Sequence, residues 1–288
     1  LEVFRNEQLI QSESVNLVSN LGSASFNFST TIVAELENYF FKFYVNDILI
    51  KEANNIVCGD VYIMNGQSNM VLNYYNINDI PATSNPFIRT YGSSPFFYSG
   101  QHWHVALSYG GIAYKFANEL ITTKNIPVAI FNGSSGGQPI SHFQRNDNNP
   151  TDNSTNYGML LNRITNADID TVRAIVFYQG ETDAFQGLDG QYLNSLSNLY
   201  NDWVEDYNPE KLFIFQIKSN CGTYRSSNVP EYQRQFSELH DDVELISTNG
   251  VNLSSDSCHY NYLDGYALLG QRLFNMVNFL LYNSTLSY

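Results

Sequence analysis

Residues 57–70 read VCGDVYIMNGQSNM, and this stretch decides the fold. Val61 to Met64 is a short apolar run, the Asn65-Gly66 pair is a turn signal, and Ser68 stands at the head of the next segment. That order predicts a buried strand whose carboxyl end carries a serine. The same kind of run recurs downstream at Phe87 to Tyr91, Val128 to Phe131, Ala174 to Tyr178, Leu212 to Ile217 and Val243 to Ile246. Between most of them lie amphipathic stretches, Ala113 to Ile121, Leu193 to Trp203 and Glu231 to His240, and Tyr266 to Leu281 closes the chain. Strand and helix in alternation predict a parallel sheet covered by helices on both faces, with the ligand site beyond the carboxyl ends of the strands.

Upstream the pattern differs. Thr31 to Leu36 and Phe40 to Ile50 alternate apolar and polar residues and are expected as strands, so residues 1–56 form a short β-rich segment ahead of an α/β domain over 57–288. The chain starts at Leu1 with neither an initiator Met nor a signal-peptide pattern, and is expected to be a processed or trimmed form. Apolar residues make up 43% and charged residues only 15%, which excludes a disordered chain. Lys plus Arg is 14 against 28 for Asp plus Glu, so the net charge of −14 repels a phosphate backbone and argues against nucleic acid as a partner. No apolar run reaches the roughly 18 residues of a membrane span. The longest, Met276 to Tyr282, is interrupted by Asn278. Cys58, Cys221 and Cys258 have no CxxC spacing, which supports neither a zinc site nor a redox motif. Abundant Asn and Tyr with few Lys suit a secreted or periplasmic, carbohydrate-facing protein.

Four motifs carry chemistry, each at the end of a predicted strand. Ser68 follows a Gly turn, where its N–H would face the crevice if a helix starts there; alone, such a serine is usually a cap or turn residue. Asp256-Ser257-Cys258-His259 places a carboxylate three residues before an imidazole, the spacing at which one ring nitrogen is oriented and the other left as a base. Asn132-Gly133-Ser134-Ser135-Gly136-Gly137-Gln138-Pro139-Ile140 is Gly-rich and lets backbone N–H groups approach a ligand, while Tyr178-Gln179-Gly180-Glu181-Thr182-Asp183 presents a side-chain amide. Singly, these two are also ordinary tight turns or helix entries.

Competing readings are weaker. Gly133-x-Ser135-x-Gly137 matches a nucleophile elbow, but Pro139 follows where an elbow needs a helix. Glu181 with Asp183 or Asp256 is imaginable as a glycosidase pair, although sequence gives no carboxylate separation. His102-x-His104 lacks a third metal ligand at a recognisable spacing. The aromatics Tyr74, Tyr75, Phe96, Phe97, Tyr98 and Trp103 are compatible with a non-catalytic glycan-binding module, though aromatics at that density are more often core.

Gly66-Gln67-Ser68-Asn69-Met70, Gly136-Gly137, Gln179-Gly180-Glu181, and Asp256 to His259 followed by Gly265-Tyr266 together resemble the SGNH hydrolases. The likeness is to their carbohydrate-esterase branch of sialate O-acetylesterases and acetylxylan esterases, and it runs from about Val57 to the C-terminus. The resemblance implies a three-layer α/β/α, flavodoxin-like fold and a serine esterase that removes O-acetyl groups from carbohydrate without metal or organic cofactor. It implies Ser68 as nucleophile, His259 as base and Asp256 as its orienter, with an oxyanion hole made by the backbone N–H groups of Ser68 and Gly137 and the side chain of Gln179. The few arginines, Arg89, Arg145 and Arg225 among them, rank neutral acetylated glycans such as xylan ahead of sialylated ones. Cys221 follows a predicted strand and Cys258 adjoins the base, so a disulfide between them is expected, with Cys58 left reduced.

Overall fold

The computed structural model describes residues 1–18, 22–71, 84–92, 100–107, 109–218, 221 and 228–284. Contacts divide the chain into two compact units, Leu1–Gly59 with Asn125–Pro127, and Asp60–Lys124 with Val128–Tyr288.

In the first unit β1 (Glu2–Arg5), β2 (Gln8–Ser12), β3 (Tyr39–Val45) and β4 (Ile48–Ile56) form an antiparallel sheet in the order β2-β1-β3-β4. Both hairpins close on two residues at positive φ, Asn6 and Glu7 (46° and 66°) and Asn46 and Asp47 (49° and 62°), the left-handed geometry whose twist matches paired strands. The run from Phe40 to Ile50 is therefore a hairpin and not one strand, because Asn46 and Asp47 tolerate that geometry. Thr31 to Leu36 forms no strand. Glu35 accepts from the hydroxyl of Tyr39 and from Arg5 instead, and alternation without a neighbouring ladder does not make a strand.

The second unit is built on β5 (Asp60–Gly66), β6 (Ile88–Tyr91), β7 (Trp103–Val105), β8 (Val128–Asn132), β9 (Ala174–Tyr178), β10 (Lys211–Gln216) and β11 (Val243–Ser247). Their order is β11-β10-β9-β5-β8-β6-β7, all parallel except β7, which runs against β6 at the edge. The connecting helices are α1 (Ser68–Val71), α2 (Gly111–Lys124), α3 (Asn156–Asn166), α4 (Glu181–Gln186), α5 (Tyr192–Tyr207), α6 (Asn228–Leu239) and α7 (Ala267–Leu281). Side chains alternate across the sheet to make two cores. Tyr62 meets Phe116 of α2 edge-on at 4.9 Å, while Phe177 meets Trp203 of α5 at 5.1 Å on the other face. On α5 the buried residues Tyr192, Leu196, Leu199, Trp203 and Tyr207 recur at three- and four-residue spacing, and the helix ends at Asn208 in a left-handed turn. No helix among the described residues is long and apolar enough to cross a membrane.

Helix α3 and strand β7 are absent from the sequence reading. The α3 segment is rich in Asn and polar residues, and its signals are a cap at Thr155, whose hydroxyl accepts from Gly158 N–H at 3.0 Å, and the buried stripe Tyr157, Leu160, Leu161 and Ile164. Strand β7 is only three residues long and is specified by its ladder to β6.

The site is placed by β5. It has β8 on one side and β9 on the other; the chain goes out to β6 and β8 on the first side and returns for β9, β10 and β11 on the second. The carboxyl end of β5 is thus the point where the winding reverses and a crevice opens. Gly66 ends the strand at φ 133°, and a Cβ there would lie 2.1 Å from the carbonyl oxygen of Tyr178. Gly66→Ala should therefore cost more than about 4 kcal/mol. Urea denaturation checks this; a loss below about 1 kcal/mol, the ordinary size for a tolerated substitution, would mean that the strand end can yield.

Candidate active site

Ser68 opens α1 directly after the Gly66 turn, and the residues around it in the chain are spent on holding it. The Gln67 N–H donates to Tyr178 O at 2.9 Å, and its buried side-chain oxygen accepts from Thr182 N–H at 3.2 Å, tying α1 to the start of α4. Asn69 is buried and Met70 has no exposed surface. Ser68 is only partly buried. As the first residue of a helix it has an N–H outside the helical bonding pattern, and no described residue accepts from it.

The structure brings Ser68, His259 and Asp256 together across 191 residues of sequence. Ser68 Oγ lies 2.8 Å from His259 Nε2, and His259 Nδ1 lies 2.6 Å from Asp256 Oδ2. The other carboxylate oxygen of Asp256 accepts from Ser254 Oγ at 2.6 Å, His259 N–H at 2.9 Å and Cys258 N–H at 3.0 Å. Partial burial pushes this carboxyl up, but these hydrogen bonds outweigh it and hold Asp256 well below the usual carboxylate range. The acid therefore stays ionised beside the imidazole, which fixes the ring and leaves Nε2 toward the hydroxyl. Cys221 and Cys258 form a disulfide with their Cα atoms 4.0 Å apart, anchoring the residue next to His259, and Cys58 takes no part in a disulfide.

The Gly-rich turn after β8 also comes to Ser68, through Gly136. A Cβ on Gly136 would lie 3.8 Å from Ser68 Cβ, whereas Gly137, at φ 71°, has open space where its Cβ would be. Neither N–H meets an acceptor among the described residues. Ser135 donates its N–H to Gly66 O and is followed by a turn, not by a helix, so the elbow geometry is absent there.

Gln179 does not present a free donor. Its side chain has no exposed surface, and its amide nitrogen lies 2.5 Å from Asp183 Oδ2, 3.1 Å from Gln138 O and 3.4 Å from Gln67 Oε1. The side chain expected to donate to an oxyanion is turned inward here: the carboxylate one helical turn ahead draws the amide by a charge-assisted bond, stronger than one to a neutral acceptor. Asp183 Oδ2 also accepts from Ile140 N–H at 3.0 Å. Gln179 and Asp183 together clamp the turn that carries Gly136. Sequence reasoning missed Asp183 in this role; its only signal was its spacing of four from Gln179.

Glu181 also lies inside. Its Oε1 accepts from Asn69 Nδ2 at 2.8 Å, and its Oε2 has no hydrogen-bond partner among the described residues. Burial pushes both Glu181 and Asp183 up, offset in part by the amides of Asn69 and Gln179 respectively. Among the residues weighed for other roles, His104 turns both ring nitrogens to the carbonyls of Val105 and Gly92. Trp103 stacks edge-on against Tyr91 and Phe131. Tyr74, Tyr75, Phe96, Phe97, Tyr98 and Arg225 lie outside the described residues.

Residues 58–278 match the family model of carbohydrate esterases described as sialic acid-specific acetylesterases. The chain belongs to this carbohydrate esterase family. Among solved structures it is similar to a carbohydrate acetylesterase from Xanthomonas citri, with 17% identity and a TM-score of 0.65 over 88% of this chain and 62% of that one. It is similar also to a protein from Arabidopsis thaliana, with 20% identity and a TM-score of 0.61 over 76% of this chain and 97% of that one. A third, NanS, has 12% identity and a TM-score of 0.55 over 80% of this chain and all of that one. At these identities the likeness shows the fold, and the chain spans about 62% of the length of the Xanthomonas protein. No curated protein matches the chain by sequence.

In this member of the family, Gln179→Ala strips a buried donor from both Asp183 and Gln138 O, which should lower stability by about 1 to 3 kcal/mol. Urea denaturation distinguishes this from a side chain that donates only during reaction, whose removal would leave stability unchanged.

Proposed function

We propose that the protein is a serine O-acetylesterase acting on carbohydrate, with Ser68 as nucleophile, His259 as general base and Asp256 holding the imidazole. The observation that carries this reading is the 2.8 Å contact of Ser68 Oγ with His259 Nε2, continued by the 2.6 Å contact of Nδ1 with Asp256. In this reading His259 takes the hydroxyl proton as Oγ attacks the ester carbonyl. Charge then develops on the carbonyl oxygen, and backbone N–H groups aimed at it stabilise that charge without reorganisation. Those of Ser68 and of the Gly136-Gly137 turn supply them, with Gly137 in the role the family likeness gives it. As the tetrahedral intermediate collapses, its bond to the sugar oxygen breaks and the imidazolium gives its proton to that oxygen, releasing the sugar hydroxyl and leaving the acetyl group on Ser68. Water, activated by the same base, releases acetate.

The substrate we favour is a neutral acetylated glycan of the acetylxylan type. The net charge of −14 disfavours an anionic sugar. Arg145, whose guanidinium would otherwise suit a sugar carboxylate, is paired to Asp147, Asp202, Glu205 and Asp206, and Arg89 is 5% exposed on β6. Sialate O-acetyl esters are the alternative with the same mechanism. The Cys221–Cys258 disulfide supports a secreted or periplasmic location, since such bonds persist in oxidising compartments.

Ser68→Ala and His259→Ala should each remove nearly all hydrolysis of 4-nitrophenyl acetate, and combining them should add little, because such residues act as a unit. Ser135→Ala should cost much less. A serine-directed phosphonate should label one peptide, that containing Ser68; label on Ser135, or hydrolysis that survives Ser68→Ala, would overturn the assignment. Acetate release from acetylated xylan and from O-acetylated sialic acid, compared at equal ester concentration, decides the substrate class. Faster release from the sialic acid would reverse the ranking.

A further inference from the structure

Asn69 links the surroundings of both reacting residues. It follows Ser68 in the chain, and its Nδ2 donates to the carbonyl of Cys258, the residue before His259, at 3.2 Å. The same nitrogen donates to Glu181 Oε1 at 2.8 Å, and Asn69 Oδ1 accepts from the Tyr266 hydroxyl at 3.0 Å. Two oxygens on the nitrogen side and a hydroxyl on the oxygen side allow the amide one orientation, because a flip would set Oδ1 against a carboxylate and a carbonyl. Glu181 is 2% exposed and its second oxygen has no hydrogen-bond partner among the described residues. Burying a half-satisfied acid is costly, so packing alone gives no reason for a carboxylate here.

We propose that Glu181 is a positioning residue for the Ser68–His259 pair, acting through Asn69: by accepting one amide hydrogen it fixes the side chain that ties the start of α1 to the loop carrying the imidazole. The proposal rests on the serine esterase reading above. Without Glu181 the amide can turn, the bond to Cys258 O is intermittent, and Nε2 spends less time within reach of Oγ. Misplacement of this kind slows the chemical step while leaving substrate contacts in place.

The test measures kcat and KM for 4-nitrophenyl acetate in Glu181→Ala, Asn69→Ala, the double variant and Glu181→Gln, with Ser68→Ala alongside. Glu181→Ala and Asn69→Ala should each lower kcat by about 10- to 100-fold with KM within about twofold of wild type. The double variant should be no slower than Asn69→Ala alone, since one residue acts through the other. Glu181→Gln keeps an acceptor oxygen for Asn69 and should restore kcat to within about threefold of wild type, a small loss beside that of misplacement. The rate of phosphonate labelling at Ser68 should follow kcat through the series. A normal kcat in Glu181→Ala, a multiplicative loss in the double variant, or a Glu181→Gln as slow as Glu181→Ala would each overturn the proposal. If Glu181→Ala does not fold, Glu181→Leu, which fills the space without an acceptor, replaces it; failure of both to fold would make Glu181 a residue of the fold and overturn the proposal too. Hydrolysis lost in Ser68→Ala but normal in Glu181→Ala sinks this inference alone, whereas hydrolysis untouched by Ser68→Ala sinks the esterase reading with it.

Discussion

The close approach of two backbones at the end of β5 is the constraint on which the site depends. Gly66 passes so near the carbonyl of Tyr178 that a Cβ would sit 2.1 Å from the oxygen, and the next N–H, that of Gln67, donates to the same carbonyl at 2.9 Å. Strand β5 is thereby pinned to β9 at the level where both strands end. Everything that follows is set by this height: α1 starts at Ser68, α4 starts at Glu181, and the side chain of Gln67 bridges the two. A bulkier residue at position 66 would lift the start of α1 away from the start of α4.

Acidic side chains do three different jobs within one small volume. Asp256 is partly exposed and surrounded by donors, so it stays ionised and orients His259. Asp183 is buried and holds the Gly136 turn through Ile140 N–H and Gln179. Glu181 is equally buried and holds Asn69. Their environments separate them: hydrogen bonds dominate at the first, while burial dominates at the other two and pushes them up. None of the three could replace another, because each is matched to its own donors by position on a strand end, a helix start or a loop.

Much of the architecture was legible in the chain. Short apolar runs marked the strands of the second unit within a residue or two, since a strand buried on both faces leaves a continuous apolar signature. The strands that depended on pairing were not legible: β7 exists through its ladder to β6, and the single run from Phe40 to Ile50 is a hairpin because Asn46 and Asp47 accept left-handed geometry. Helix α3 escaped because an Asn-rich polar face hides its buried stripe. Ser68, Asp256 and His259, whose side chains the structure brings together, stood out by motif. Gln179 was also visible, but its direction was not, since the same amide can face a ligand or a buried carboxylate, and Asp183 decides which.

By itself the sequence determined the alternating α/β class, the strand end that carries Ser68, and the local pairing of Asp256 with His259, because all three are written in runs and spacings of a few residues. Only the tertiary structure decided that Ser68 and His259 meet at 2.8 Å, that Gly136 is the glycine against Ser68, and that Gln179, Asp183, Asn69 and Glu181 turn inward to hold the loops. The physical reason is that these contacts join segments from different strand ends. Their geometry depends on the strand order and on how closely neighbouring backbones pack, and neither quantity is encoded within any one segment.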